Sequence, residues 1–177
     1  MTIEFNIEEC SQISGIKIIT PSSHKEIRGS IWTSYYSEEI NKLLPKTLFF
    51  KHDKFSISKR NVLRGIHGDN KSWKLVSCVS GSIYQVIVDM RDNSKTFLKW
   101  KSYILNNYNN KMLLLPPGIG NAFYVKSNTA TYHYKLAYKG NYADVNEQFS
   151  VSWNDQRINI NWPTSNPILS TRDQKNN

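Results

Sequence analysis

A chain of 177 residues is close to the usual size of one domain, so we expect residues 1–177 to form a single domain around one apolar core. The formal net charge of +9 favours an anionic partner, but the lysines and arginines are scattered along the chain, which argues against nucleic-acid binding. The sequence shows no signal peptide and no run of 18 apolar residues, and Cys10 and Cys78 lack the spacing of a disulfide framework or a zinc site. We therefore expect a cytoplasmic protein without a membrane partner.

One helix is predicted near the start of the chain, at residues 37–44. Ser37 is placed to cap it, apolar residues follow at helical spacing, and Pro45 ends it.

Most of the remaining chain is predicted to form short strands. Segments 74–79 and 83–90, joined by a Ser-Gly-Ser turn, are typical of a β-hairpin. Between residues 129 and 138 the period of two places Tyr132 and Tyr134 on one face of a strand. Many short strands with few helices indicate an all-β fold, an antiparallel barrel or jelly roll. Among these we favour the cupin type, a double-stranded β-helix with one or two short helices.

The densest group of reactive side chains lies between residues 61 and 74. The segment NVLRGIHG places Arg64 and His67 beside glycines that let a ligand approach the backbone, and Lys74 follows. An imidazole that titrates near neutrality suits a general base, and a nearby cation stabilises an enolate. Taken alone, however, His67 is compatible with a structural hydrogen-bonded role and Lys74 with an ordinary solvated one.

Nine short motifs, in one unbroken order over about residues 27 to 173, resemble the dTDP-4-dehydrorhamnose 3,5-epimerase family. Each string alone is weak, but nine in the same order with similar spacings hardly arise by chance. The motifs are RGSI from Arg28, SIS from Ser56, VLRGIH from Val62, KLV from Lys74, GSIYQVIVDMR from Gly81, PPGIGNAF from Pro116, TATYHYK from Thr129, WNDQRININWP from Trp153 and LSTRD from Leu169.

The resemblance implies a homodimeric cupin enzyme without a cofactor that epimerises a nucleotide-linked 4-keto sugar. At the matching positions, His67 is the base that removes the proton next to the ketone, and Tyr134 is the acid that returns one from the opposite face. Lys74 matches the residue that contacts the keto oxygen. Asp173 matches the carboxylate that pairs with the histidine, fixes its tautomer and stabilises the imidazolium.

The same resemblance assigns substrate binding to further residues. Arg64 and Arg28 match positions that hold the diphosphate, to which a bidentate guanidinium is well suited, although either could instead be a surface ion pair. Ser56 belongs to one of the matched motifs. Asn121 and His52 occupy positions where the family has a histidine and a glutamine.

These departures leave alternatives open. An amide at Asn121 can donate a hydrogen bond but cannot shuttle a proton, so inversion of carbon 3 alone is an alternative to inversion of carbons 3 and 5. Thr33 replaces an acidic residue associated with the thymine ring, so a GDP-linked or other sugar, including a heptose for surface polysaccharide, is an alternative to a dTDP sugar. Gln85 replaces an aspartate, and nothing in the sequence interprets that change.

Two other functions are considered beside epimerisation: a 3,4-ketoisomerase of the same fold and a non-catalytic binder of nucleotide sugars. Retention of His67, Tyr134 and Asp173 together favours proton transfer from two faces of a sugar. No metal is expected, because Asp69 replaces the second histidine of the HxH pattern of metal-binding cupins.

Overall fold

The computed structural model describes residues 2–174, and antiparallel strands account for most of their regular structure. This part of the chain contains thirteen strands and two short α-helices. The strands are β1 (Phe5–Glu9), β2 (Lys17–Pro21), β3 (Ser23–Glu26), β4 (Gly29–Trp32), β5 (His52–Lys59), β6 (Leu63–Gly68), β7 (Trp73–Ser80), β8 (Ser82–Asp89), β9 (Trp100–Asn106), β10 (Met112–Leu115), β11 (Ile119–Val125), β12 (Thr129–Ala137) and β13 (Phe149–Ser150). The helices are α1 (Ser37–Ile40) and α2 (Thr171–Gln174).

The strands form two large sheets and one separate ribbon. The six-stranded sheet has the order β1-β2-β10-β7-β12-β5, the five-stranded sheet has the order β13-β6-β11-β8-β9, and β3 pairs only with β4. From β9 to β12 the chain passes from one sheet to the other at every step. This winding of antiparallel strands between two sheets is a jelly roll, so the prediction of an all-β fold with one or two short helices is confirmed.

The main core lies between the two sheets. Val76 and Leu113 of the six-stranded sheet and Ile87 of the five-stranded sheet are fully buried in one apolar cluster. The rings of Phe123 and Tyr132, one from each sheet, stack with their centroids 4.3 Å apart. Burying one side chain of this size contributes roughly 1.5–3 kcal/mol, which makes the facing surfaces the main reason for the sheets to pair.

The predicted hairpin of segments 74–79 and 83–90 is wrong, because β7 and β8 lie in different sheets. The chain changes sheet at Gly81, which has a φ of +81°. A Cβ at this position would lie 2.2 Å from the carbonyl oxygen of Thr129, so only glycine fits. The Ser-Gly-Ser sequence is thus a corner between two sheets and not the tip of a two-stranded ribbon.

The predicted helix is present but shorter, and its cap differs. α1 continues as a 3-10 turn at Asn41–Leu43, and Ile40 is buried against the core. Ser37 is the first helical residue, while Tyr36 takes the N-cap position without a side-chain hydrogen bond. No helix within residues 2–174 combines the length and the apolar character needed to span a membrane.

Candidate active site

A cavity of about 280 Å³ is lined by side chains from both sheets and from two segments that follow β12. Each sheet supplies mostly polar side chains on its inner face. The five-stranded sheet contributes Arg64, His67 and Asn121, and the six-stranded sheet contributes Lys54, Ser56, Lys74, Tyr134 and Leu136.

An irregularity in β6 lets Arg64 and His67 line the same cavity. Residues three apart on a regular strand point to opposite faces. Here His67 pairs with Asn121 while Arg64 pairs with Phe123, so β6 contains one residue more than β11 over this interval. Gly65, inside the bulge, has a φ of +122°, and a Cβ there would lie 2.5 Å from the Cβ of Ala122.

His67 is paired with a buried carboxylate, as the resemblance predicts. Its Nε2 lies 2.6 Å from Oδ1 of Asp173, which α2 carries against β6. Burial alone would raise the pKa of the Asp173 carboxyl, but the hydrogen bond and charge of His67, with help from Ser170 and the backbone N–H of Gly65, lower it overall. Because the ionised carboxylate accepts the Nε2 proton, the neutral ring keeps Nδ1 as its basic nitrogen.

Lys74 is also held by a carboxylate. Its Nζ lies 3.0 Å from Oδ2 of Asp69, and the two side chains are only 12% and 1% exposed. The backbone N–H groups of Lys71 and Ser72 donate to Oδ1 of Asp69. Burial acts to raise the pKa of Asp69, but the Lys74 charge and these hydrogen bonds lower it overall. The result is a fixed ammonium group at the cavity wall.

Tyr134 lines the cavity from the six-stranded sheet, whereas His67 lines it from the five-stranded sheet. The period of two in β12 places it on the inner face, where its ring meets that of Tyr132 edge-on at 4.6 Å. Burial raises the pKa of the Tyr134 phenol well above its ordinary value, although the nearby Arg64 acts in the opposite direction. At neutral pH the phenol is therefore protonated and able to donate.

The structure brings three predicted binding residues to the cavity and leaves two outside it. Ser56, Arg64 and Asn121 line it, whereas His52 does not line it and packs its ring against that of the lining residue Tyr142, at a centroid separation of 5.0 Å. Arg28 lies just before β4 on the separate ribbon, with 81% of its side chain exposed and an ion pair to Glu26. Within one chain, Arg28 is therefore not part of the cavity.

Several lining residues were missed by sequence reasoning. Lys54 lies two positions before Ser56 on β5 and could have been found from the period of two. Arg172 belongs to the quoted LSTRD motif. The loop after β12 carries no periodic pattern, and nothing in the sequence marks its contribution of Tyr142, Asp144, Val145 and Gln148.

The departures from the family pattern fall in different places. Asn121 lines the cavity and is the cross-strand neighbour of His67. Gln85 lies behind it, fully buried, with Nε2 2.7 Å from Oδ1 of Asn121. Thr33, just after β4, is not among the residues that line the cavity. Within residues 2–174 no cluster of three or more histidine, cysteine, aspartate or glutamate side chains is arranged to hold a metal.

An antiparallel jelly roll whose cavity carries a histidine–aspartate pair on one wall and a protonated tyrosine on the other has the architecture of a cupin-type enzyme. The sequence pattern of the dTDP-4-dehydrorhamnose 3,5-epimerase family matches residues 10–177. The chain belongs to this family and is an epimerase, a kind of isomerase, as its motifs predict.

Individual relatives are similar over nearly the whole chain. The dTDP-4-dehydrorhamnose 3,5-epimerase of Escherichia coli (strain K12) is 35% identical over 169 residues, or 93% of this chain and 90% of that protein. The dTDP-4-dehydrorhamnose 3-epimerase of Streptomyces niveus is 33% identical over 165 residues, covering 92% and 78%. The crystal structure of an epimerase from Legionella pneumophila, in complex with dTDP-4-keto-L-rhamnose, superposes with a TM-score of 0.89 at 34% identity, covering 98% of this chain and 92% of that one.

Proposed function

We propose that the cavity binds a nucleotide-linked 4-keto sugar and inverts carbon 3, with His67 as base and Tyr134 as acid. The main support is that these two groups line one cavity from opposing sheets. A sugar ring between the sheets presents one face to the imidazole and the other to the phenol. Inversion needs this arrangement, because the proton must leave from one face and return to the other.

The reaction proceeds through an enolate. Nδ1 of His67 removes the proton from carbon 3, and the electrons of the broken C–H bond move onto the keto oxygen. The ammonium of Lys74 stabilises that oxygen, and Asp173 stabilises the imidazolium. The phenol of Tyr134 then donates its proton to the opposite face of carbon 3, and solvent restores the protonation of both side chains. A positioned base contributes on the order of 10²- to 10⁴-fold in rate.

The diphosphate is proposed to lie against the cationic part of the cavity. Arg64, Lys54 and Arg172 all line it. The Nε of Arg64 donates to the Ser58 hydroxyl at 2.9 Å, which fixes the plane of the guanidinium. A planar guanidinium binds phosphate in bidentate fashion, so Arg64 is the main phosphate ligand in this proposal.

The nucleotide is proposed to be dTDP. The names of the E. coli and S. niveus relatives describe dTDP-linked substrates, and the L. pneumophila structure holds one. Thr33 departs from the family pattern near the expected base, which makes a GDP-linked sugar the appropriate comparison. The two relatives differ in whether carbon 5 is also inverted, so carbon 5 has to be measured separately.

The active form is proposed to be a homodimer. β5 is an edge strand of its sheet, with Phe55 and Ile57 exposed by 58% and 73%, and the separate ribbon exposes Ile27 and Ile31. A second copy of the chain would cover this apolar surface. Arg28 can reach a substrate phosphate only if its ribbon lies across the cavity of that second copy, and we infer this arrangement.

The cytoplasm is the proposed site of the reaction. Cys10 and Cys78 are both buried and free, which suits a reducing compartment.

Exchange with solvent tests the proposed reaction. The protein is incubated in deuterated water with a dTDP-linked or a GDP-linked 4-keto-6-deoxy sugar, and NMR follows deuterium at carbons 3 and 5. We expect deuterium and inversion at carbon 3 with the dTDP sugar. Absence of deuterium at both carbons with both sugars would contradict the proposal.

A further inference from the structure

Three buried, uncharged polar side chains lie together behind the base. They are Gln85 on β8, Asn121 on β11 and Tyr132 on β12, with exposed fractions of 0%, 6% and 0%. Buried polar groups of this kind need hydrogen-bond partners, and each of the three finds them in the other two. The positions that carry an aspartate and a histidine in the family pattern, 85 and 121, thus hold a hydrogen-bonded pair of amides.

The orientation of the Gln85 amide is fixed by the backbone. Its Nε2 lies 3.0 Å from the carbonyl oxygen of Val86 and 3.0 Å from that of Ala122. Carbonyl oxygens only accept, so the group facing them must be the NH₂. The Oε1 of Gln85 is then left to accept from the Tyr132 hydroxyl, at 2.7 Å.

The orientation of Asn121 follows from that of Gln85. The Asn121 atom that lies 2.7 Å from Nε2 of Gln85 must be an acceptor, because two NH₂ groups would repel. That atom is Oδ1, which also lies 3.1 Å from the Tyr132 hydroxyl. The NH₂ group of Asn121 is therefore turned away from the cluster. Within residues 2–174 it has no protein acceptor, and Asn121 lines the cavity beside His67.

We propose that Gln85 and Tyr132 position Asn121 so that its Nδ2 donates a hydrogen bond to a sugar oxygen beside the carbon that His67 deprotonates. This inference rests on the proposed function and assigns Asn121 to substrate binding and the other two residues to positioning. An amide does not titrate, so the donor is present at every working pH and does not compete with His67 for the proton. A buried donor aimed at an oxygen that gains charge is worth more than the same group in water.

A double-mutant cycle tests the cluster. We expect Asn121→Ala to lower kcat/KM for deuterium exchange by about 10²- to 10³-fold, the range found for the loss of a single donor to a developing oxyanion. Gln85→Met, which removes the amide oxygen and the NH₂ group at similar side-chain length, should lower it by a smaller factor. Because Gln85 acts through Asn121, the double variant should be no worse than Asn121→Ala alone.

The matched control is Tyr124→Phe. Tyr124 is on the same strand as Asn121, and its hydroxyl donates to Oδ1 of Asn61 at 2.8 Å, away from the cavity. This variant should leave kcat/KM unchanged. Thermal unfolding checks that each variant is folded, and Tyr132→Phe replaces Gln85→Met in the cycle if the latter does not fold.

Binding gives a readout that does not depend on turnover. Calorimetry with dTDP-glucose, which has no ketone and cannot react, should show at least about tenfold weaker binding to Asn121→Ala, while the affinity for dTDP alone stays the same. The proposed role of Asn121 would be overturned if Asn121→Ala changed neither deuterium exchange nor dTDP-glucose binding. The positioning role of Gln85 would be overturned if the losses in the double-mutant cycle were additive. Neither result would contradict the proposed epimerase function. If the unmodified protein exchanges nothing, the proposed function fails, and the dTDP-glucose comparison still decides whether Asn121 binds the sugar.

Discussion

Nε2 of the His67 imidazole is hydrogen-bonded to Asp173, which leaves Nδ1 as the nitrogen that can accept a proton. His67→Asn keeps a polar side chain but removes the base. We expect it to lower the rate of deuterium incorporation at carbon 3 by about 10²- to 10⁴-fold, the usual contribution of a general base. The measurement is NMR of the sugar in deuterated water. Lys95→Asn, at an exposed position in the turn after β8, is the control and should exchange at the normal rate. Exchange by His67→Asn at more than a tenth of the normal rate would mean that another group is the base.

The phenol of Tyr134 acts after the proton has left. A variant Tyr134→Phe still has its base, so His67 can remove the proton from carbon 3 and return a deuteron to the same face. We therefore expect Tyr134→Phe to retain deuterium exchange but to lose inversion by at least about tenfold, since the acid on the opposite face is missing. NMR coupling constants report inversion and the deuterium content reports exchange, in the same sample.

The control for the loss of a phenol is Tyr108→Phe, because Tyr108 is 83% exposed and does not line the cavity. It should both exchange and invert normally. Equal losses of exchange and inversion in Tyr134→Phe would show that Tyr134 supports the site in another way.

At the scale of single elements, the bulge in β6 decides which side chains reach the cavity. Gly65 has a φ of +122°, and its missing Cβ leaves room for Ala122. Gly65→Ala should lower the free energy of unfolding by about 2–4 kcal/mol, because steric overlap adds to backbone strain. Denaturant unfolding measures this loss, and exchange activity should fall with it because Arg64 and His67 flank the glycine.

Gly140→Ala is the control that separates backbone strain from steric crowding. Gly140 also has a positive φ, +66°, but nothing lies within 4 Å of its missing Cβ. This variant should cost about 1 kcal/mol and leave activity unchanged. Equal losses in the two variants would show that crowding at Ala122 is unimportant.

The turn after β8 is held by one buried carboxylate. Asp89 accepts hydrogen bonds from Arg91, Ser94 and Thr96. Burial acts to raise the pKa of this carboxyl, but these partners lower it overall to about 2. A depressed carboxyl pKa stabilises the fold above the unfolded value near 4, and this stabilisation is lost as the pH falls toward 2.

We therefore expect Asp89→Asn to lower the free energy of unfolding at pH 7 by about 2 kcal/mol. The difference from the unmodified protein should shrink as the pH is lowered from 4 to 2. Urea unfolding at a series of pH values gives both curves. For Asp92→Asn, at an exposed position in the same turn, the plot of unfolding free energy against pH should be parallel to that of the unmodified protein. A parallel plot for Asp89→Asn would refute the stabilising role that we assign to the Asp89 carboxylate.

The elements differ in how well the sequence predicts them. The alternation in β12 depends only on neighbouring residues, and it placed Tyr132 and Tyr134 on one face, which in the structure is the inner one. The pairing of β7 and β8 was wrong because strand partners are chosen by contacts distant in sequence, and a turn signal such as that around Gly81 is common to hairpins and corners. Asp69 was noted only as a missing histidine, since its contact with Lys74 exists only in the folded chain.

At the scale of the whole molecule, the cavity depends on parts of the chain that lie far apart in sequence. His67 and Asp173 are 106 residues apart and come from a strand and the last helix. Tyr134 comes from the other sheet. The motifs predicted the pairing of His67 with Asp173 because a family pattern carries spatial information that periodicity lacks. The loop with Tyr142 and Asp144 escaped prediction because it has neither a period nor a motif.

We expect two copies of the protein to associate through the β5 edge of the six-stranded sheet. β5 has neighbours on one side only and exposes Phe55 and Ile57, a combination that favours pairing with another copy. We expect the protein to sediment as a dimer at micromolar concentration and Phe55→Asp/Ile57→Asp to sediment as a monomer. If Arg28 acts across the dimer, the monomeric variant should also show a KM for the nucleotide sugar raised at least about tenfold, since one charge-assisted contact to phosphate is lost.

Ile7→Asp is the matched control for this prediction. Ile7 lies on β1, the opposite edge strand of the same sheet, and is 40% exposed. Charge on that edge should leave the dimer and the KM unchanged, because the Arg28 ribbon and β5 are the surfaces that we assign to the interface. A monomer at every concentration would refute the dimer. A dimer that Ile7→Asp separates, while the β5 variant does not, would move the interface to the other edge and remove Arg28 from the partner's cavity.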